Sequence, residues 1–292
     1  MKVYMFHYVK PYSNYYHFDL DEFDKTVHEL AEKEKVISLK ELDEMVKTKQ
    51  PIPEDAVMLT FDDGTIDHYQ YVYPILKKYH CSGLFFIPSC TYNKKMLDIQ
   101  VIHQLLENNP IETLFNDLRK QLKKKHIEPE EYSIDKNLDG KETALFKQLL
   151  QYKLPNDIRT KLIHYFRRKY NISKDVSNSY MSIRNLKQMK KDGMYFGVHT
   201  ITHPRLGLQS KEEQSKEVKA NMESLLKSHL LDKECISLAF PYGSYNEDTI
   251  DVMKNLNIKY GFKVDDKESN NDEGGVVLID RLDCNILREV LK

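Results

Sequence analysis

The 292-residue chain has almost no net charge to read: 44 Lys and Arg stand against 45 Asp and Glu, a formal −1. No global field would draw it onto DNA, RNA or an anionic membrane, so no nucleic-acid partner is expected. Long apolar runs are missing as well. The stretch from Met1 to Lys10 is too short for a signal peptide or a membrane span, and His7 and Lys10 interrupt it. That stretch carries the expectation of a cytoplasmic protein with no membrane span. Cys81, Cys90, Cys235 and Cys284 lie far apart with no C-x-x-C pair, which reads as scattered reduced thiols. Internal repeats and low-complexity segments are absent. What remains, 40% hydrophobic and 30% charged, is an ordinary globular composition.

Against these absences stands a regular alternation. Lys2 to Tyr8 reads as a first strand, followed by a helix from about Leu20 to Lys33 with Phe23, Val27 and Leu30 on one face. A short helix fits Leu39 to Val46 before the Pro51-Ile52-Pro53 break. Ala56 to Phe61 is a buried strand ending in Asp62-Asp63-Gly64, Tyr71 to Tyr79 is helical, and Ser82 to Pro88 is the next strand. This β-α order favours a parallel sheet with helices outside it. The stretch 94–178 breaks the rhythm: three sets of helical apolar spacing, among them Leu114, Phe115, Leu118 and Leu122, read as a helical insertion whose faces need something to pack on. Its charge run, Lys120 to His126, reads as a solvated face. The alternation resumes with a helix over Ile183 to Lys191, strands at Tyr195 to His199 and Ile236 to Phe240, a capping box at Ser210 to Glu213, a cap at Asn246, and strands at Tyr260 to Val264 and Val276 to Ile279.

Three constellations fall at strand ends, where parallel α/β folds carry function. In Thr60-Phe61-Asp62-Asp63-Gly64, adjacent carboxylates at a strand end point apart, so one can bind a metal while the other acts as a base. Asp-Asp-Gly is equally ordinary turn composition. In His199-Thr200-Ile201-Thr202-His203-Pro204, two histidines four apart can converge on one ion, although either alone reads as a surface or core residue. With Asp63 they make three protein ligands and leave a position for water, as a catalytic metal requires. Ala239-Phe240-Pro241-Tyr242-Gly243-Ser244-Tyr245-Asn246 is either a shaped loop or simply a strand-to-helix turn.

The order TFDDG, HTxTHP, AFPYGxYN resembles the polysaccharide deacetylase family and its NodB homology domain, over most of the chain outside the insertion. The PYGxYN form and the early YVKP look closest to the poly-N-acetylglucosamine deacetylase-like branch. The resemblance implies a single 1–292 domain, a distorted (β/α)7-type barrel interrupted by the 94–178 helices. It implies one divalent metal ion, zinc or else cobalt, on Asp63, His199 and His203, with Asp62 as general base and the backbone N–H of Tyr242 on the oxyanion. The implied reaction is removal of an acetyl group from an N-acetylated, less readily O-acetylated, carbohydrate such as a sugar, sugar nucleotide or glycan precursor.

Two departures accompany the resemblance. No histidine follows His229, so the family's C-terminal catalytic histidine is missing in its usual form; His7, ending the first strand, is the candidate acid. Ala239 occupies the place where many members carry an Arg that orients the base. Arg281 is the candidate substitute, with a surface pairing to Asp280 or Asp283 as its alternative. The insertion is expected to wall the active site or to form a homo-oligomer interface. Two rival functions stay open: a non-catalytic carbohydrate-binding homologue, and a metal-dependent amidase acting on a non-sugar amide.

Overall fold

The computed structural model describes residues 1–11, 17–135, 140–173, 175–264, 271, 272 and 274–284. The chain folds as two compact units, one formed by 1–95 with 177–292 and the other by 96–176. Two short stretches of the sequence insertion, 136–139 and 174, lie outside the described residues.

In the first unit seven parallel strands close into a barrel: β1 (Lys2–Phe6), β2 (Ala56–Phe61), β3 (Leu84–Ile87), β4 (Tyr195–Val198), β5 (Ser237–Ala239), β6 (Tyr260–Val264) and β7 (Val277–Asp283). Closure is made by β1 pairing with both β2 and β7. This is the (β/α)7 barrel that the resemblance implies. Period-2 alternation sorts each strand. On β2, Ala56 and Met58 join Val3, Leu84, Phe86, Tyr260, Phe262 and Ile279 in one cluster, the barrel interior. Val57, Leu59 and Phe61 instead pack outward against helical residues such as Phe23, Val27, Leu76, Val218 and Leu225.

The helices of this unit are α1 (Leu20–Lys33), α2 (Leu39–Thr48), α3 (Tyr73–Lys78), α4 (Ser89–Tyr92), α5 (Ile183–Lys191), α6 (Lys211–Lys227) and α7 (Glu247–Asn255). Their starts are written locally. Ser38, Ser182, Ser210 and Asn246 each form a capping box with the residue three positions on, satisfying orphan N–H groups of the first turn. A wider turn at His68–Val72 leads into α3.

The late strand is longer than its apolar run. β7 continues through Asp280, Arg281, Leu282 and Asp283, because each buried charge there meets an opposite one from the barrel: Asp280 pairs with Lys263 at 2.8 Å, and Arg281 with Asp62. The surface pairing considered for Arg281 does not form. The first strand, by contrast, stops at Phe6, one residue before His7.

The second unit has its own core. Helices at Asp98–Asn108, Ile111–Lys123, Lys141–Gln148 and Asn156–Lys169, with the wider turn Leu149–Lys153, bury Val101, Leu105, Leu118, Phe146, Leu149 and Phe166 against one another. Its apolar faces thus find their partners within the unit. Lys123 to His126 are exposed, as a solvated face requires. No helix among the described residues is long and apolar enough to cross a membrane.

Candidate active site

Inward positions along three strands lead to one polar layer. β2 runs Met58, Thr60, then Asp62; β4 runs Gly197, then His199; β7 runs Ile279, then Arg281. One step above the apolar interior, Asp62, His199 and Arg281 are each at most 2% exposed. Gly197 is needed below His199, because a Cβ there would stand 2.4 Å from the Phe86 ring.

Arg281 grips Asp62 with both guanidinium nitrogens, Nη1 to Oδ1 at 2.7 Å and Nη2 to Oδ2 at 2.8 Å, and lies 5.4 Å from the centre of the Phe86 ring. Burial works against the charged carboxylate. The charge of Arg281 and its hydrogen bonds overcome it and hold Asp62 well below the usual carboxylate range.

Asp63 turns away from its neighbour. Its Oδ1 is 3.7 Å from His199 Nε2 and 3.4 Å from His203 Nε2, and one ligand atom from each residue lies within 4.8 Å of the others. Metal–ligand bonds of about 2.1 Å put tetrahedral donors roughly 3.4 Å apart, so the spacing suits one ion. Asp63 Oδ1 and His199 Nε2 are buried with no hydrogen-bond partner among the described residues, which is costly unless something else binds them. His199 bonds through Nδ1 to the Ala239 carbonyl at 2.9 Å, an arrangement that leaves Nε2 as the lone-pair nitrogen. Desolvation lowers the pKa of His199 against the pull of Asp62 and Asp63, and takes that of His203 down to about 4. Both imidazoles are therefore neutral at pH 7, the form that ligates metal. The donor set, one carboxylate and two imidazoles, fits a single divalent ion.

The backbone here is unusual. Asp63, Thr200, His203 and Tyr242 hold positive φ values of 72°, 66°, 62° and 58°, a region that L-residues occupy at a cost and that gathers at functional sites. Gly64, at φ 66°, completes the turn where an added Cβ would stand 3.1 Å from the Ile87 side chain. The Tyr242 ring packs edge-on against His203 at 4.6 Å, and the Arg205 guanidinium lies over it at 5.0 Å.

Every residue singled out in the sequence is found in or beside this cluster. Asp63, His199 and His203 converge, Asp62 and Arg281 adjoin them, and Tyr242 lies against His203. His7 stands near enough for its charge to act on both Asp62 and His203. Sequence reading missed the supports. Glu217 of α6 accepts from the N–H groups of Ile201 and Thr202 and from the Thr202 hydroxyl, at 2.8–2.9 Å. Asn221, one turn on and fully buried, accepts from His199 N–H and donates to the Ile87 carbonyl. The available signal was an Asn at 221, three residues after Val218 and four before Leu225 on the buried face of the helix. Asp67 and His68, just past the DDG turn, were missed as well; both are buried.

The family described as polysaccharide deacetylase matches residues 49–129 and 169–261. A poly-beta-1,6-N-acetyl-D-glucosamine N-deacetylase of Staphylococcus aureus is 32% identical over 96 residues, which is 30% of this chain and 32% of that protein. The aligned segment thus spans about a third of the curated relative. Among solved structures, Streptococcus pyogenes deacetylase PplD in complex with acetate aligns over 97% of this chain and 91% of its own, with a TM-score of 0.60 at 19% identity. IcaB from Ammonifex degensii aligns over 99% and 94%, with a TM-score of 0.59 at 16% identity. At such identities these structures speak for the fold, while the family match covers more than half of the chain: the protein belongs to the polysaccharide deacetylase family.

Proposed function

We propose that the protein removes N-acetyl groups from a glycan containing N-acetylglucosamine, with one divalent ion held by Asp63, His199 and His203. The observation that carries this reading is the buried Asp-His-His trio, whose Asp63 Oδ1 and His199 Nε2 have no hydrogen-bond partner among the described residues, beside a carboxylate clamped by Arg281. The name of the staphylococcal relative supports the sugar and favours N- over O-acetyl. Zinc suits the donor set.

When bound, the ion supplies Lewis acidity toward the acetyl carbonyl and toward the attacking water. Asp62 accepts the water's proton as oxygen adds to the carbonyl carbon. Its carboxylate is ionised at any working pH, since Arg281 holds it so. A base this weak takes a proton only from water whose acidity has been raised, which ties Asp62 to the neighbouring ligand trio. The Tyr242 N–H serves the oxyanion; a donor of that kind is typically worth about 2.7–4 kcal/mol. His7 then gives a proton to the leaving nitrogen as the C–N bond breaks, yielding acetate and an amine.

The test is acetate release from metal-stripped and Zn²⁺- or Co²⁺-restored protein. The substrates are oligomers of N-acetylglucosamine, an N-acetylated sugar nucleotide and a non-sugar amide. Metal-restored release from the glycan is expected, falling about 10²–10⁴-fold in Asp62→Asn with the metal still bound. Release from the non-sugar amide alone would support the amidase instead. Bound metal and glycan with no turnover would leave a binding protein.

A further inference from the structure

The chain leaving β1 is tied down by the segment that follows the DDG turn. Asp62 N–H donates to the Phe6 carbonyl at 3.0 Å, continuing the β1–β2 pairing by one bond. Beyond it the next ties come from side chains. The Thr65 hydroxyl and His68 Nε2 both reach the His7 carbonyl, at 3.4 and 2.7 Å, and Asp67 Oδ2 accepts from Val9 N–H at 2.8 Å.

His68 is the unusual member of this set. It is fully buried, its ring 5.6 Å from that of Phe61 and 5.8 Å from that of Phe85. Its Nδ1 has no hydrogen-bond partner among the described residues, while Nε2 faces a carbonyl oxygen, which can only accept. The proton therefore sits on Nε2. Burial lowers the pKa of His68 against Asp67 and the His7 bond, so the ring is neutral at pH 7. A phenyl ring would fill this aromatic wall without leaving a nitrogen unsatisfied. The one thing histidine adds is a donor aimed at the backbone of His7, whose own charge is felt at Asp62 and His203.

We propose that His68 is a positioning residue: its Nε2–H fixes the carbonyl of His7 and thereby holds the His7 imidazole where it can protonate the departing amine. The inference rests on the deacetylase reading and deepens it. During collapse of the tetrahedral adduct, the C–N electron pair goes to nitrogen and takes the His7 proton. The proton that Asp62 took from water leaves through solvent, and His7 is reprotonated from solvent. Amide plus water becomes acetate plus amine, with no other reactant. Misplacing an acid by about 1 Å can cost on the order of 100-fold in rate.

A double-mutant cycle on the metal-loaded full chain tests this. The variants are His7→Ala, His68→Phe, His68→Gln and His7→Ala with His68→Phe, read as kcat, KM and bound metal per chain. His68→Phe is expected to lower kcat about 10–100-fold with KM and metal content unchanged. His68→Gln, whose side-chain amide can still donate, recovers most of the rate. In the His7→Ala background His68→Phe adds nothing. Should phenylalanine not fit, His68→Met provides the donor-free comparison with His68→Gln. Effects of the two positions that simply multiply, a Gln variant as slow as the apolar one, or metal lost in step with rate would overturn the proposal. A His7→Ala enzyme with full activity would instead refute His7 as the acid. No acetate release from wild type would refute the deacetylase reading beneath both.

Discussion

At Asp62 two demands pull against each other. The base proposed for this site must accept a proton, yet a carboxylate 2% exposed must be neutralised by something fixed, or burial would keep it protonated. Arg281 meets the second demand with a two-pronged grip, and its guanidinium enters the interior layer from β7. Ala239, where the resemblance implies an Arg, is also an interior residue: its side chain ends at one carbon, and its carbonyl takes the Nδ1 of His199. The orienting charge has thus been supplied from a different strand. Arg281→Met leaves Asp62 buried and unpaired, so a stability loss of about 3–5 kcal/mol is expected from denaturant unfolding. Arg281→Lys should be milder in stability yet still slow in acetate release, since one ammonium cannot grip both carboxylate oxygens. Equal activity of Lys and Arg variants would mean that charge alone matters.

The element that organises the proposed metal ligands is a helix that carries none of them. Along α6, Gln214, Glu217 and Asn221 recur at helical spacing, and each reaches a different segment. Gln214 bonds the Gln209 carbonyl, Asn246 and Thr249; Glu217 holds the turn between the two histidines; Asn221 ties His199 to the end of β3. Thr200 and His203, both at positive φ, are held in the turn that Glu217 caps. Supports of this kind are worth about 10–100-fold in metal affinity. Asn221→Ala and Glu217→Gln are therefore expected to weaken Zn²⁺ binding by that order in a chelator competition. Unchanged affinity in both would show that the barrel strands alone set the ligand geometry.

Across the whole molecule, the barrel unit and the inserted helices each bury a core of their own. A ligand that binds only the folded barrel stabilises it by mass action. Zn²⁺ at about 100 times its Kd is expected to add about 2.7 kcal/mol to the unfolding free energy of the barrel unit, a shift of several degrees in Tm. The shift should vanish in Asp63→Ala, which removes the carboxylate that both histidines face. A metal-dependent rise that survives in that variant would locate the ion elsewhere.

The local rules of this fold were legible in the amino-acid order. Short apolar runs marked barrel strands, a capping box at Ser210 and a cap at Asn246 marked helix starts, and Asp62-Asp63 and His199-x-x-x-His203 marked strand ends, because those signals depend only on near neighbours. The partner of Arg281 was not legible, since the choice between Asp62 and Asp280 or Asp283 depends on a bond spanning 219 residues. Nor were Asn221 and His68, each of which acts on backbone 22 or 61 positions away along the chain. Sequence determined which side chains can do chemistry; closing the barrel decided which of them meet, because burial and opposite charge become binding constraints only once distant strands are neighbours.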